Sequence, residues 1–369
     1  MDLPAPARAA LVVGLLYGFL VGVGLLEAGI KSLGADVQAD LFDSVTNPLA
    51  GVFVGVLATV LVQSSSVTTA TIVALVAAGG LSVGDAVPVV MGANMGTTVT
   101  NTLAALGHMR QGPEFKRAFA AATVHDFFNL LAVMVLLPLE ILFGLLSGPA
   151  EWLSEQLVGS GGTTWKSPVK RWVKNPVSWI EDALSSAGLE GNWLSLLLLA
   201  AGLGFIFVGL AFITKNMRQL IADRVERSVN QILGRGGGVV AMILGVIITV
   251  MVQSSSITTS ILVPLSATGV LSLANAFPVT LGANLGTTIT ALLASLATDR
   301  PEALTVALSH TLFNIVGILV FYPFARVRRI PIVLAEKLSE VASERRPLAF
   351  AYVIGVFVVL PIIGIAILR

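Results

Sequence analysis

The chain has 369 residues, of which 55% are hydrophobic and 12% charged, and its mean hydropathy is +0.90. Soluble domains carry about 25% charged residues, so the composition excludes a soluble protein and predicts an all-α polytopic membrane protein. The net charge of +1 gives no basis for a nucleic-acid partner. The absence of cysteine excludes disulfides and thiol chemistry, and three histidines argue against a metal centre.

Seven apolar runs have the ~20 residues that a spanning helix needs. The first follows Arg8 and is interpreted as a retained span, because no small-residue cleavage site comes closely after it. The seven predicted spans cover residues 9–29, 85–106, 118–146, 192–214, 273–297, 303–325 and 347–368.

Two further apolar regions, 49–80 and 239–270, are each divided in the middle by the motif Gln-Ser-Ser-Ser. Each half is too short to cross the ~30 Å hydrocarbon layer as a helix. We therefore predict two re-entrant helical hairpins with the polar motif at the tip, a position where irregular backbone is tolerated only beside a cavity or site.

The two hairpins belong to an internal duplication. Residues 62–101 and 252–291 are identical at 23 of 40 positions with an offset of 190. With a cytoplasmic N-terminus, the segments predicted to lie inside hold 15 of the 22 Lys and Arg residues, which satisfies the positive-inside rule. Three crossings then separate the hairpins, so the copies are predicted to be inverted repeats, an arrangement typical of secondary transporters.

This topology divides the chain into four parts. The first repeat covers 1–146, an extracytoplasmic connector with a glycine-serine stretch covers 147–191, and the second repeat covers 192–325. Residues 326–369 form an interfacial helix and the last span, and residues 215–233 are also expected at the inner interface.

Each hairpin tip offers hydroxyls and an amide just before a half-helix whose free N–H groups favour an anion. Two tips facing each other would bind an anion. The backbone carbonyls left without helical partners at each break, together with the hydroxyls, would suit Na⁺. The alternative is that these small polar residues only allow close helix packing. The tip residues predicted to bind substrate are Gln63, Ser64, Ser65, Ser66, Gln253, Ser254, Ser255 and Ser256.

A second duplicated block, Gly-Ala-Asn-x-Gly-Thr-Thr, follows each hairpin. Its glycines lie four residues apart, which fits either a packing face or a site. From its polar side chains we predict four further substrate-binding residues, namely Asn94, Thr97, Asn284 and Thr287.

Asp126 is the one acidic residue well inside a predicted span, and its counterpart in the second copy is Thr311. A carboxylate inside a membrane is costly without a partner, so we predict a cation ligand in one half only, with a structural hydrogen bond as the alternative. His125 and His310 are interpreted as helix-packing residues.

These motifs resemble the type II sodium–phosphate cotransporter family. The resemblance runs from Asn47 to the last helix, and its most specific parts are the paired Gln-Ser-Ser-Ser motifs, 91–102 and 115–129. It implies coupled inward movement of Na⁺ and inorganic phosphate with the hairpins as the substrate and sodium region. Electrogenic transport is also implied, with Asp126 as the acidic residue of its motif. The predicted Na⁺ ligands are Asp126, Ser65, Thr98, Gln253, Ser256 and Thr288.

Alternating access is expected from the inverted-repeat architecture. Mammalian members of this family carry a disulfide and glycans in the outer loop, whereas residues 147–191 have neither cysteine nor a glycosylation sequon. This departure fits a bacterial member in the inner (plasma) membrane. Expected partners are phosphate, Na⁺ and the bilayer, with a homodimer left open, and no organic cofactor is expected. Two alternatives stay open, a Na⁺-coupled carrier of another oxyanion or small carboxylate and a passive anion channel. An enzyme is not expected, because no base accompanies the serines within either hairpin.

Overall fold

The computed structural model describes residues 4–33, 47–110, 112–158, 167–233 and 237–368, and this described part is helical with no strand. Its α-helices are α1 (Ala5–Lys31), α2 (Pro48–Val62), α3 (Ser65–Ala78), α4 (Val83–Gly96), α5 (Val99–Leu106), α6 (Gly112–Phe143), α7 (Ser147–Val158), α8 (Pro168–Ser186), α9 (Gly191–Leu233), α10 (Gly238–Val252), α11 (Ser255–Ala267), α12 (Leu273–Ser295), α13 (Pro301–Phe321), α14 (Ala325–Glu344), α15 (Pro347–Ile354) and α16 (Leu360–Leu368). A short π-helical turn, Gly355–Val359, joins α15 to α16.

Within the described residues, six segments are long and apolar enough to cross a membrane, which makes this a multi-pass membrane protein. The six are Pro6–Lys31, Gly112–Phe143, Gly191–Met217, Leu273–Ser295, Pro301–Phe321 and Pro347–Leu368. The predicted interfacial segment 215–233 continues the helix that contains the third of these, and its side chains from residue 218 onward lie outside the described part, as does the glycine-serine stretch of the connector.

The prediction of an uninterrupted span over 85–106 needs correction. A turn at Thr97 and Thr98 separates α4 from α5, whereas the duplicated segment forms the continuous helix α12. The break precedes Asn101 and Thr102, whose side chains bond to other helices. Their counterparts are Ala291 and Leu292, whose side chains have no polar atoms and so cannot form hydrogen bonds to other helices.

The two predicted hairpins appear as pairs of short helices, α2 with α3 and α10 with α11, of 13 to 15 residues each. Gln63 ends α2 and Gln253 ends α10, both in the left-handed conformation with φ 56°. No other non-glycine residue in the described part has a positive φ. This conformation costs an L-residue roughly 1–2 kcal/mol, so the helix breaks at the two motifs are specific features of the backbone.

The repeated glycines let helices approach closely. A Cβ on Gly92 would collide with the carbonyl of Val52 on α2, and a Cβ on Gly282 would collide with the carbonyl of Met242 on α10. The glycines therefore serve helix packing, which is one of the two interpretations of their four-residue spacing.

The helices of the two sequence copies are interleaved. Helix α3 packs against α12 and α13 of the second copy, and α11 packs against α5 and α6 of the first. Each half-helix that follows a Gln-Ser-Ser-Ser motif therefore packs against helices of the opposite copy.

Candidate functional site

The two Gln-Ser-Ser-Ser motifs line one cavity of about 270 Å³. All eight predicted tip residues, 63–66 and 253–256, contribute to its wall. Helix α9 closes one side with an apolar surface and Thr214, which donates a hydrogen bond to the carbonyl of Val252 (3.3 Å). The cavity therefore joins residues that are 190 positions apart in the sequence.

Each tip glutamine is fixed by the same two hydrogen bonds. The Gln63 amide nitrogen donates to the carbonyl of Val60 (2.5 Å), and its oxygen accepts from Thr100 (3.2 Å). Gln253 repeats this pattern with Val250 (2.7 Å) and Thr290 (3.0 Å). Sequence reasoning missed both threonines, although their shared offset of 190 from each other was a usable signal.

The serines divide between the helix cap and the first turn. Ser64 accepts a hydrogen bond from the Val67 N–H (3.3 Å), and Ser254 accepts one from the Ile257 N–H (3.4 Å). These are N-caps, so the positive ends of α3 and α11 both meet the cavity. Free N–H groups, hydroxyls and two helix ends create an anion-binding environment, and no lysine or arginine lines this cavity.

One hydrogen bond crosses between the copies at the tips. The hydroxyl of Thr290 on α12 donates to Gln253 and also pairs with the Ser66 hydroxyl (3.4 Å). On the other side, Asn101 donates to Thr259 (2.5 Å) and accepts from Ser260 (3.0 Å). Each half-helix is thus held by the opposite copy.

Asn94 and Asn284 do not line the tip cavity and instead lie in a separate buried network. Asn94 pairs with His310 (3.2 Å), and Asn284 pairs with His125 (2.5 Å). Asn129 accepts hydrogen bonds from both asparagines, at 3.1 and 2.7 Å. The histidines that we interpreted as packing residues therefore connect the two copies.

The four predicted threonines of the second block are buried and bond back to their own helices. Thr97 and Thr287 donate to the carbonyls of Ala93 (3.1 Å) and Ala283 (3.0 Å). Thr98 and Thr288 donate to carbonyls three residues earlier, and none of the four lines the tip cavity.

Asp126 lies in a second group of oxygen atoms, away from the tip cavity lining. Its Oδ2 accepts hydrogen bonds from Thr102 (3.2 Å) and Tyr352 (2.9 Å), and Thr98 lies within hydrogen-bonding reach. Its Oδ1 is buried and has no hydrogen-bond partner among the described residues. Carboxylate and hydroxyl oxygens are the ligands that hard cations prefer, so these groups fit Na⁺. Tyr352, 226 positions away, was not predicted.

Comparison with known proteins gives one family. A model described as Na⁺/Pi-cotransporter matches residues 19–145 and 205–335. The chain is 34% identical over 424 residues to the sodium-dependent phosphate transport protein 2A of Rattus norvegicus, covering 96% of this chain and 66% of the relative. It is 31% identical over 447 residues to the human protein 2B, covering 96% and 64%. The chain thus spans just under two thirds of these relatives' length, and no solved structure matches it.

Proposed function

Because the chain belongs to the Na⁺/Pi-cotransporter family, as its paired motifs predicted, we propose that it carries inorganic phosphate into the cell together with Na⁺. The observation that supports this most strongly is the single cavity lined by both Gln-Ser-Ser-Ser motifs. The relatives are named as transport proteins, in agreement with the expectation that the chain is not an enzyme.

Phosphate would bind at the tips without a formal cation. The first N–H groups of α3 and α11 lack intrahelical partners, and the adjacent hydroxyls of Ser65, Ser66, Ser255 and Ser256 can donate hydrogen bonds to the phosphate oxygens. Such a site attracts phosphate but does not neutralise the negative charge of the phosphate, so co-bound Na⁺ would strengthen phosphate binding. This coupling is the physical basis that we propose for symport.

Two groups of oxygen atoms are proposed to hold Na⁺. One is Asp126 with Thr98, Thr102 and Tyr352. The residue of the second copy that corresponds to Asp126 is Thr311, whose hydroxyl donates to a carbonyl of its own helix (3.0 Å). A carboxylate is therefore available in one copy only. The other group lies at the tip cavity and comprises Ser65, Gln253 and Ser256.

We propose that Thr288 and the residues of the buried network support the site and do not contact the substrate. Thr288 is the counterpart of Thr98 and bonds to the carbonyl of Leu285 (2.8 Å). Asn94 and Asn284, together with the buried Thr97 and Thr287, would position the helices that carry the site. We assign them a supporting function and keep direct contact with substrate for the tip residues.

Transport would proceed by alternating access between inverted repeats, with the hairpins entering the membrane from opposite sides. The N-terminus is proposed to be cytoplasmic and the protein to lie in the inner membrane, with repeats over 1–146 and 192–325. Electrogenic transport and a homodimer stay predictions. Two oppositely oriented hairpins meeting at one cavity near the midplane give each side of the membrane a route to the same site.

The test is phosphate uptake into proteoliposomes with and without an inward Na⁺ gradient, with the membrane potential clamped and then varied. Uptake that requires Na⁺ and increases with an inside-negative potential would support electrogenic symport. Uptake indifferent to Na⁺ would favour a passive channel. Uptake of another oxyanion or a small carboxylate, with none of phosphate, would identify a different substrate.

A further inference from the structure

A second and larger cavity, about 730 Å³, begins at the tip of the second hairpin. Ser256 lines both this cavity and the smaller one between the tips. From Ser256 the larger cavity follows helix α11 to Thr268 at the helix end, and Thr100 also lines it. The two cavities are therefore adjacent at the point where we propose that phosphate binds.

The wall of the larger cavity carries polar groups at regular intervals. Ser256, Ser260, Pro264 and Thr268 line it and lie four residues apart, so they share one face of α11. Pro264 has no N–H, which leaves the carbonyl of Ser260 without its helical hydrogen bond. This face therefore presents two serines, a threonine and a carbonyl that lacks its usual helical donor. Hydroxyls and carbonyls of this kind can contact either phosphate or Na⁺.

The corresponding face in the first hairpin is different. The counterparts of these four residues are Ser66, Ala70, Ala74 and Ala78, so the hydroxyls end at the tip. Ala70 and Ala74 are completely buried, because α3 packs against α1, α12 and α13. The two hairpins are therefore unequal, since only α11 has an open polar face along its length.

We propose that this face of α11, with Thr100, is the pathway by which phosphate and Na⁺ pass between the tip cavity and the side of the membrane where α11 ends. In the predicted topology that side is the cytoplasm, so the structure is open inward and closed outward. The proposal rests on the proposed function for the identity of the solutes. The competing possibility is that the face contacts lipid, where the carbonyl of Ser260, which lacks its helical donor, would be costly to leave unsatisfied. The hydroxyls of Ser260 and Thr268 already donate to Asn101 and to carbonyls of their own helix.

Cysteine accessibility separates water from lipid on this face, and the chain contains no native cysteine. The variant Ser260→Cys places a thiol in the middle of the pathway. The matched control Ile247→Cys places one on α10 at an apolar position that is 49% exposed. A charged, membrane-impermeant methanethiosulfonate is applied to inside-out and right-side-out vesicles, and modification is measured by mass. Thiols react as thiolates, which form in water and are disfavoured in hydrocarbon.

We expect the S260C variant to react at least about tenfold faster than the I247C variant, from the cytoplasmic side only. Modification of the S260C variant should also block phosphate uptake. Adding phosphate at a saturating concentration together with Na⁺ should slow the modification. Equal slow labelling of both variants, or labelling of S260C from the outside only, would overturn the pathway. Since labelling needs no transport, rapid cytoplasmic labelling in a protein that carries no phosphate would support the pathway and contradict only the proposed function.

Discussion

At the scale of single residues, the serines of each tip have distinct tasks. Ser254 caps α11 through its contact with the Ile257 N–H. Ser255, the next residue, lines the tip cavity, and its hydroxyl has no hydrogen-bond partner among the described residues. Two neighbouring side chains of the same chemistry should therefore respond differently to removal of the hydroxyl.

We predict that Ser255→Ala weakens phosphate affinity by roughly tenfold, because a hydrogen bond to a charged ligand contributes about 1.5–3 kcal/mol. The thermal stability of this variant should equal that of the wild type, since no protein hydrogen bond is lost. Ser254→Ala is the matched control and should lower the free energy of unfolding by about 1 kcal/mol through loss of the cap. Titration of phosphate and thermal unfolding of both variants provide the measurements. A Ser255→Ala protein with wild-type affinity would exclude its hydroxyl from the site.

Asp126 tests the cation site. Asp126→Asn keeps the shape of the side chain and removes its charge, so we predict at least a tenfold increase in the Na⁺ concentration needed for half-maximal uptake, with the maximal rate retained in part. Tyr352→Phe removes only one of the two donors to Oδ2 and leaves Thr102 in place, so it should have a smaller effect. The Na⁺ dependence of uptake measures both. If the two variants lowered thermal stability alike and left Na⁺ dependence unchanged, Asp126 would be structural.

At the scale of elements, the reversal at each tip depends on a left-handed residue. Gln253 combines a backbone function, φ 56°, with a side-chain function, the bond between its amide oxygen and Thr290. Glycine can adopt the left-handed backbone conformation, because it has no Cβ to clash, but it lacks the amide that contacts Thr290. Alanine satisfies neither.

Gln253→Gly should therefore be more stable than Gln253→Ala by about 1–2 kcal/mol, although both lack the amide and both should bind phosphate weakly. Thermal unfolding of the two purified proteins gives the stability difference. Equal stability would mean that the left-handed turn is not maintained in the variants. Wild-type phosphate affinity in the glycine variant would show that the amide is not needed.

The sequence predicts some of the helix breaks and not others. The 14-residue apolar runs on either side of Gln63 and Gln253 predicted a break there, and the structure has one at each. The break at Thr97 was not predictable, because Thr287 stands in the same local sequence within a continuous helix. The two segments differ in what they contact, for Asn101 reaches α11 across the molecule. Local pattern does not contain that information.

At the scale of the whole molecule, the copies hold each other through buried polar pairs. His125 meets Asn284, and His310 meets Asn94, with Asn129 between the two asparagines. The bonds that run between the copies join residues 155 to 216 positions apart. From the sequence we interpreted the histidines as helix-packing residues, but only the fold shows that their partners belong to the opposite copy. Interleaving of this kind gives both tips one shared cavity.

The most direct test of that shared site is equilibrium binding of phosphate to the purified protein, in NaCl and in choline chloride, for the wild type, Ser65→Ala and Ser255→Ala. We predict that Na⁺ tightens phosphate binding at least tenfold, within the range of about 5–150-fold typical of coupled sites. Each serine variant should weaken binding, because we propose that the two tips contact the same anion. Phosphate affinity that is the same in both salts, or that responds to only one of the two serines, would contradict a site built jointly by the two hairpins.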